Sequence, residues 1–354
     1  MQQTVLELFD SSDTVLEGKK AQVVALGPNM RRHGNAASGE EGVLGQLVWY
    51  SISDALRISP ESLGEAMGRS GMDPGYLLPR APTASAALSR AADGAERRSV
   101  PLREARDGSP IDEERYADVR FPSTGRGNKQ AVTVILDPDQ RRLSYEPFAS
   151  VWVEDGSLRV ESLLGDGRPL DAETDALAAL RSGFAFEKNR HDGEAVRRVI
   201  VRALGGARAI PLRNSGAMYF VNREHRGEAE NILAFVAAVA SSAGSAPART
   251  ARTPRAMTVP LVDREEYREV IAESLEDFVQ KEARSLVEEM APLTRGRGGV
   301  GKRRAESILG RVRALKDSVE EYEELLETRS TEARANLEVA SKQARALLAL
   351  VSGD

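Results

Sequence analysis

The run Ala305-Glu306-Ser307-Ile308-Leu309-Gly310-Arg311-Val312-Arg313-Ala314-Leu315-Lys316-Asp317-Ser318-Val319-Glu320-Glu321-Tyr322-Glu323-Glu324-Leu325-Leu326 decides how the C-terminal part of the chain is read. Ala305, Ile308, Val312, Leu315, Val319, Tyr322 and Leu326 follow one another at steps of 3, 4, 3, 4, 3 and 4. That spacing places them on one stripe of a helix and forms a heptad seam. The residues between them are largely charged. A helix from Lys302 to Glu327 would run ~39 Å.

The neighbouring sequence extends the pattern in both directions. Upstream, Asp263–Met290 carries a second stripe: Ile271, Leu275, Val279, Ala283, Leu286 and Met290. Pro292 and the glycines of 296–301 separate the two helices, which predicts a coiled-coil hairpin. Downstream, Ala333, Leu337, Ala340, Ala344, Leu347 and Val351 form a third stripe, offset by about four residues. Either a new helix starts near Ser330-Thr331 or one helix continues through a stutter. With no Gly or Pro at 327–331, the continuous helix is the expectation.

The hinge reads Gly296-Arg297-Gly298-Gly299-Val300-Gly301-Lys302, the spacing of a phosphate-cradling loop. Arg303 stands where Ser or Thr should hold magnesium, and a helix precedes the loop where a strand should, so nucleotide binding is not expected. The hinge is nevertheless basic. Arg295–Lys316 has eight basic residues against one acid, Glu306. Arg295, Arg297, Lys302, Arg303 and Arg304 are candidates for holding a nucleic-acid phosphate backbone. The competing reading is neutralisation by Glu276, Asp277, Glu282, Glu288 and Glu289 across the hairpin. A simple hairpin has one misfit: Asp317, Glu320, Glu321, Glu323 and Glu324 would face Asp263, Glu265, Glu266 and Glu269.

Ahead of this region, residues 241–256 read as a linker rich in Ser, Ala, Pro and Arg. Residues 171–240 read as a helix and β-hairpin module. Asp171–Arg181 and Asp192–Leu204 are helical, Asn214-Ser215-Gly216 is a hairpin turn, and Glu224–Ala240 is a further helix. The order is compatible with a winged helix. Arg198 and Arg202, four residues apart, share a face with Arg197 beside them, while Arg208 and Arg213 fall in the hairpin. These five are candidates for nucleic-acid binding. The competing reading, which the sequence favours, is an ordinary amphipathic helix packed on a hairpin.

Residues 43–170 read as an α+β domain. Leu44–Ser53 is a strand, and Ser59-Pro60-Glu61 starts a helix that ends near Gly71. Thr83 caps a short helix over Ala84–Ala92. Glu96–Asn128 is polar and reads as irregular. Ala131–Leu164 reads as a small antiparallel sheet, with turns at Asp137-Pro138-Asp139 and Glu154-Asp155-Gly156. Residues 1–42 read as a flexible segment.

Composition bounds the function. The chain has 354 residues, 41% hydrophobic and 29% charged, with a net charge of −5. Nucleic-acid binding would therefore need a local basic face. Eight of the 49 basic residues are lysine; GC-rich coding is the simplest source of so many arginines. With no cysteine, disulfides and zinc–thiolate sites are excluded. His33, His191 and His225 have no metal-ligand spacing, and no cofactor or catalytic motif is present. No signal peptide or apolar span of ~18 residues occurs, so a cytoplasmic protein without membrane insertion is expected.

Four blocks resemble an uncharacterised family of phage, mobile-element and microbial proteins. They are Gly42-Val43-Leu44-Gly45-Gln46-Leu47-Val48-Trp49-Tyr50-Ser51, Arg142-Leu143-Ser144-Tyr145, Ser215-Gly216-Ala217-Met218-Tyr219-Phe220-Val221, and Val259-Pro260-Leu261-Val262-Asp263 leading into the heptads. The resemblance covers roughly residues 42–330. It implies a phage or mobile-element origin rather than a housekeeping enzyme and carries over no functional residue.

The expected fold is α+β: a small antiparallel sheet with short helices, a winged-helix-like module, and a coiled-coil hairpin at residues 257–354. The expected function is non-enzymatic association with DNA or RNA. The alternative is an adaptor that forms a homo-oligomer, or holds a protein partner, through the coiled coil.

Overall fold

The elements of the computed structural model run β1 (Val43–Ser51), β2 (Leu56–Ile58), α1 (Pro60–Arg69), α2 (Pro74–Leu77), α3 (Ala84–Ala95), β3 (Arg97–Glu104), β4 (Pro110–Arg120), β5 (Ser123–Gly125), β6 (Asn128–Leu136), β7 (Arg142–Glu154) and β8 (Ser157–Ser162). They continue with α4 (Asp171–Glu187), β9 (His191–Asp192), α5 (Gly193–Gly206), β10 (Ile210–Pro211), β11 (Met218–Asn222), α6 (Arg226–Ser242), β12 (Gly244–Ser245), β13 (Arg255–Val262), α7 (Glu265–Arg295), α8 (Lys302–Leu326) and α9 (Thr331–Ser352). The structure describes residues 42–165, 167–212, 217–246, 250–295 and 302–352. The expected flexible segment, residues 1–42, therefore lies almost wholly outside the described residues.

Strand β1 is apolar on both faces because both are covered. It sits between β11 and β13 in an antiparallel sheet ordered β10-β11-β1-β13. A register irregularity against β13 falls between Val43 and Gly45. Such an extra residue breaks the side-to-side alternation, so Leu44 and Leu47 join the same core. Val48 and Tyr50 join the core on the other face, with Leu63 and Met67 of α1, Val196 and Ile200 of α5, and Phe235 of α6. Gly45 permits the close approach of β11: a Cβ there would lie 2.2 Å from the Val221 carbonyl oxygen.

A second antiparallel sheet is ordered β3-β4-β6-β7-β8, with β5 on β6. Helices α3 and α4 join its core through Ala87, Leu88, Ala91, Ala172, Ala176, Leu180 and Phe184. This corrects the reading of Glu96–Asn128 as irregular, since β3, β4 and β5 lie within it. Most residues of β3 are exposed or half-exposed, and its pairing with β4 shifts register twice. Clean alternation is thus lost from the sequence. Helices α4 and α5 bury their apolar faces in different cores.

The linker is also corrected in part. Gly244 and Ser245 pair with β2, and the Ala246 N–H donates to the Ala55 carbonyl at 2.8 Å. Residues 247–249 lie outside the described residues.

The continuous C-terminal helix is not found. Helix α8 ends at Leu326, and Glu327 takes the left-handed conformation with φ 54°. The Thr328 N–H donates to the Glu323 carbonyl at 3.2 Å, the 6→1 bond of a Schellman ending. Ser330 then opens α9, its Oγ accepting from the Ala333 N–H at 3.1 Å. The third stripe returns alongside the other two, so the expected two-helix hairpin is a group of three long helices sharing one core with Leu44, Leu47 and Phe220.

Candidate nucleic-acid interface

Helix α5 begins at Asp192, whose Oδ1 accepts from the Ala195 N–H at 2.9 Å. Gly193 allows this start to press on the chain after β1: a Cβ there would lie 2.0 Å from the Ser53 carbonyl oxygen. Val196, Val199 and Ile200 are buried, which turns Glu194, Arg198, Val201 and Arg202 to solvent. Arg198 and Arg202 are exposed one turn apart, as their spacing predicts. Arg198 pairs with exposed Glu194 at 3.1 Å, and Arg202 reaches the Leu77 carbonyl at 3.5 Å.

The other arginines of the expected face are engaged within the fold. Arg197 donates to the Ile52 carbonyl at 2.8 Å and to Asp54. Arg208 lies 2.6 Å from Glu321 of α8. Its carbonyl, in turn, accepts from the Tyr322 hydroxyl at 2.9 Å. Residues 213–216, Arg213 among them, lie outside the described residues; Ile210 pairs with Phe220.

Residues 296–301 of the glycine hinge, Arg297 among them, also lie outside the described residues. Arg295 closes α7 and Lys302 opens α8. Arg303 and Arg304 are exposed in the first turn of α8. Glu289 of α7 takes Arg304 at 3.6 Å and Arg311 at 2.6 Å, so part of this charge is neutralised within the chain. From Tyr322 back to Lys302 is ~30 Å along the axis of α8. Arg197, Arg198 and Arg202 are thus brought together on α5, while Arg295, Lys302, Arg303 and Arg304 lie at the far end of the long helices.

The seam is filled within one chain. Ala305, Ile308, Val312, Leu315, Val319, Tyr322 and Leu326 are between 0% and 7% exposed, in a core shared with α7 and α9. Of the acids in the predicted clash, Glu321 and Glu323 take partners that sequence spacing could not indicate. Glu321 accepts from Arg208 and from Asn222 Nδ2 at 2.8 Å, with His225 Nε2 at 3.3 Å. Glu323 is buried and held by Arg334, whose hydrogen bond keeps its carboxyl below the usual carboxylate range. Glu327 pairs with Arg268 at 3.5 Å.

Among the described residues, no group of three His, Cys, Asp or Glu could hold a metal ion. His33 lies outside them. His191 is buried, and burial pushes its imidazole below its ordinary value. No described helix is long and apolar enough to cross a membrane.

Residues 43–352 match a family of unknown function (DUF6744), and the chain belongs to that family. No curated protein and no solved structure matches it.

Proposed function

We propose that this family member is a non-enzymatic, nucleic-acid-associated protein of phage or mobile-element type. It contacts the phosphate backbone at two separate places. One is Arg198 and Arg202 on α5, extended by Arg213 in a winged-helix-like manner. The other is the tip formed by Arg295, Arg297, Lys302, Arg303 and Arg304. The observation that carries this reading is the exposure of Arg198 and Arg202 one turn apart. Their present bonds, an exposed i,i+4 pair and a 3.5 Å contact to a carbonyl, are ones a phosphate can displace. Arg197 and Arg208 are satisfied by Asp54 and Glu321 and take a supporting part.

The test is fluorescence anisotropy with duplex DNA, single-stranded DNA and RNA over a range of salt. Binding should weaken as salt rises, with a log–log slope of ~0.9 per phosphate contacted on duplex DNA. R198E/R202E and R303E/R304E should each weaken it and reduce the slope, while the far-ultraviolet circular dichroism stays unchanged. Absence of binding to all three probes at low salt would overturn the proposal.

The second reading is an adaptor that self-assembles through its long helices in coiled-coil fashion. The heptad seam is consumed inside the chain, so assembly would use another stripe. Val339 and Leu350 of α9, 51% and 59% exposed, lie three turns apart and supply one. Light scattering decides: a monomer at high concentration rejects this reading, and an oligomer abolished by V339E/L350E supports it.

A further inference from the structure

A cleft of about 460 Å³ opens between α3 and α4 on one side and β2 and the start of α5 on the other. Its wall includes two of the most deeply buried charges in the described residues. Arg57 is 7% exposed and Glu187 is 2% exposed. Arg57 Nε donates to both Glu187 oxygens, at 2.7 and 2.8 Å, and Nη1 donates to the Asp54 and Leu56 carbonyls at 2.7 and 2.8 Å. Arg90 Nε joins the same carboxylate at 2.7 Å. Its Nη1 lies 3.4 Å from Asp192, and its Nη2 donates to the Glu187 and Arg190 carbonyls at 3.2 and 3.0 Å.

Among the described residues, one donor position in this arrangement has no partner. Arg57 lines the cleft, and among the described residues its Nη2 has no hydrogen-bond partner. A guanidinium has five N–H donors, and burial penalises each one left unmet. Nε and Nη1 are committed, so the orientation of Nη2 is fixed before anything binds. Among the described residues, Asp93 is the one acid of the cleft without an ion pair. Its other acids are Asp54, Glu187, Asp192 and Glu194, paired with Arg197, Arg57, Arg90 and Arg198. Arg97, also on the wall, spends Nη1 on the carbonyls of Gly94, Ala95 and Glu96 at the end of α3.

We propose that this cleft binds a small zwitterionic ligand, one carboxylate accepting from Arg57 Nη2 and one ammonium meeting Asp93. The wall sets five acids against four arginines, a nearly balanced charge that suits a zwitterion better than a dianion such as phosphate. Ala55, Ala91, Ala179 and Gly183 leave room for a short apolar spacer. The cleft has Arg197 and Glu194 on its wall but takes no ligand contact from Arg198 or Arg202 of the nucleic-acid proposal.

The test is calorimetry and thermal melting of the full chain with glycine, 4-aminobutyrate, 5-aminopentanoate, pentanoate and inorganic phosphate at matched ionic strength. At least one of the three amino acids should bind, more tightly than pentanoate or phosphate. Ser182 is an exposed cleft residue on α4. Ser182→Phe fills the mouth without touching the Arg57 network and should weaken binding at least ~10-fold. Asp93→Asn should weaken it ~2–5-fold, the loss of one exposed ion pair, leaving pentanoate unaffected. Arg57→Lys should abolish binding where it folds. No heat and no melting shift with any amino acid would overturn the proposal. So would binding that survives Ser182→Phe, or tighter binding of phosphate.

Discussion

The three long helices and the two helices on the larger sheet are held by different means. In α7, α8 and α9 the contact is volume: Leu275, Leu286, Ile308, Leu315, Tyr322, Leu337 and Leu347 fill one core. In α3 and α4 it is proximity: Ala87, Ala91, Ala92, Ala172 and Ala176 are buried, and a Cβ on Gly183 would lie only 3.4 Å from that of Ala91. Small side chains remove little apolar area from water, and only Leu88, Leu180 and Phe184 add larger buried side chains here. Helix α4 is fixed in addition by a buried carboxylate at each end. Glu173, 0% exposed, takes Arg106 at 2.6 and 2.8 Å, the Leu170 N–H at 3.0 Å, and Thr133. Glu187 takes Arg57 and Arg90. Apolar volume holds helices together without fixing a direction, whereas charged hydrogen bonds fix both position and rotation.

The strongest challenge to this contrast is Glu187→Ala, which leaves two guanidinium groups without their shared acid. It should cost about 3–5 kcal/mol in urea unfolding. Glu289→Ala removes an acid whose partners are exposed and should cost less than about 1 kcal/mol. Equal losses would erase the distinction. Next, Leu275→Ala should destabilise by about 3 kcal/mol through the cavity it leaves. A loss below that of Glu289→Ala would show that the long helices are not held by volume. Smaller again, Arg208→Ala removes one of three partners of Glu321 and should cost about 1–2 kcal/mol. Hydrogen exchange should rise in α8 near Tyr322 and not in α4; the reverse pattern would refute the anchoring role.

The smallest effect concerns pH. Burial lowers the His191 imidazole from its ordinary value, with Asp192 opposing the shift and Arg90 and Arg198 adding to it. Its folded value lies below the ordinary 6.5, so the unfolded chain takes up a proton that the folded chain refuses. Stability is complete above 6.5 and declines as pH falls through that value. His191→Gln should remove this component of the slope. Parallel pH profiles of the two proteins in urea melts would reject it.

Much of the contrast was readable in advance on one side only. The 3-and-4 spacing identifies the faces of α7, α8 and α9 because helical packing is local in sequence. The break at Glu327 escaped because a glutamate, not a glycine, takes the left-handed turn. Strands β3 and β4 escaped because their pairing is irregular and their surfaces polar. The exposed pair Arg198 and Arg202 follows from spacing. The commitment of Arg208 to Glu321 does not, since 113 residues separate them. Arg57 and Glu187, 130 residues apart, have no local signal at all.

The contact of Tyr322 with the Arg208 carbonyl has a mechanical consequence. From that contact α8 continues ~30 Å to Arg303, packed along α7 and α9. A tilt of the three helices by roughly 10° about this end would therefore move Arg303 by about 5 Å. The bonds of Glu321 with Arg208 and Asn222 oppose such a tilt at its base, where a small restraint damps the largest amplitude at the opposite end.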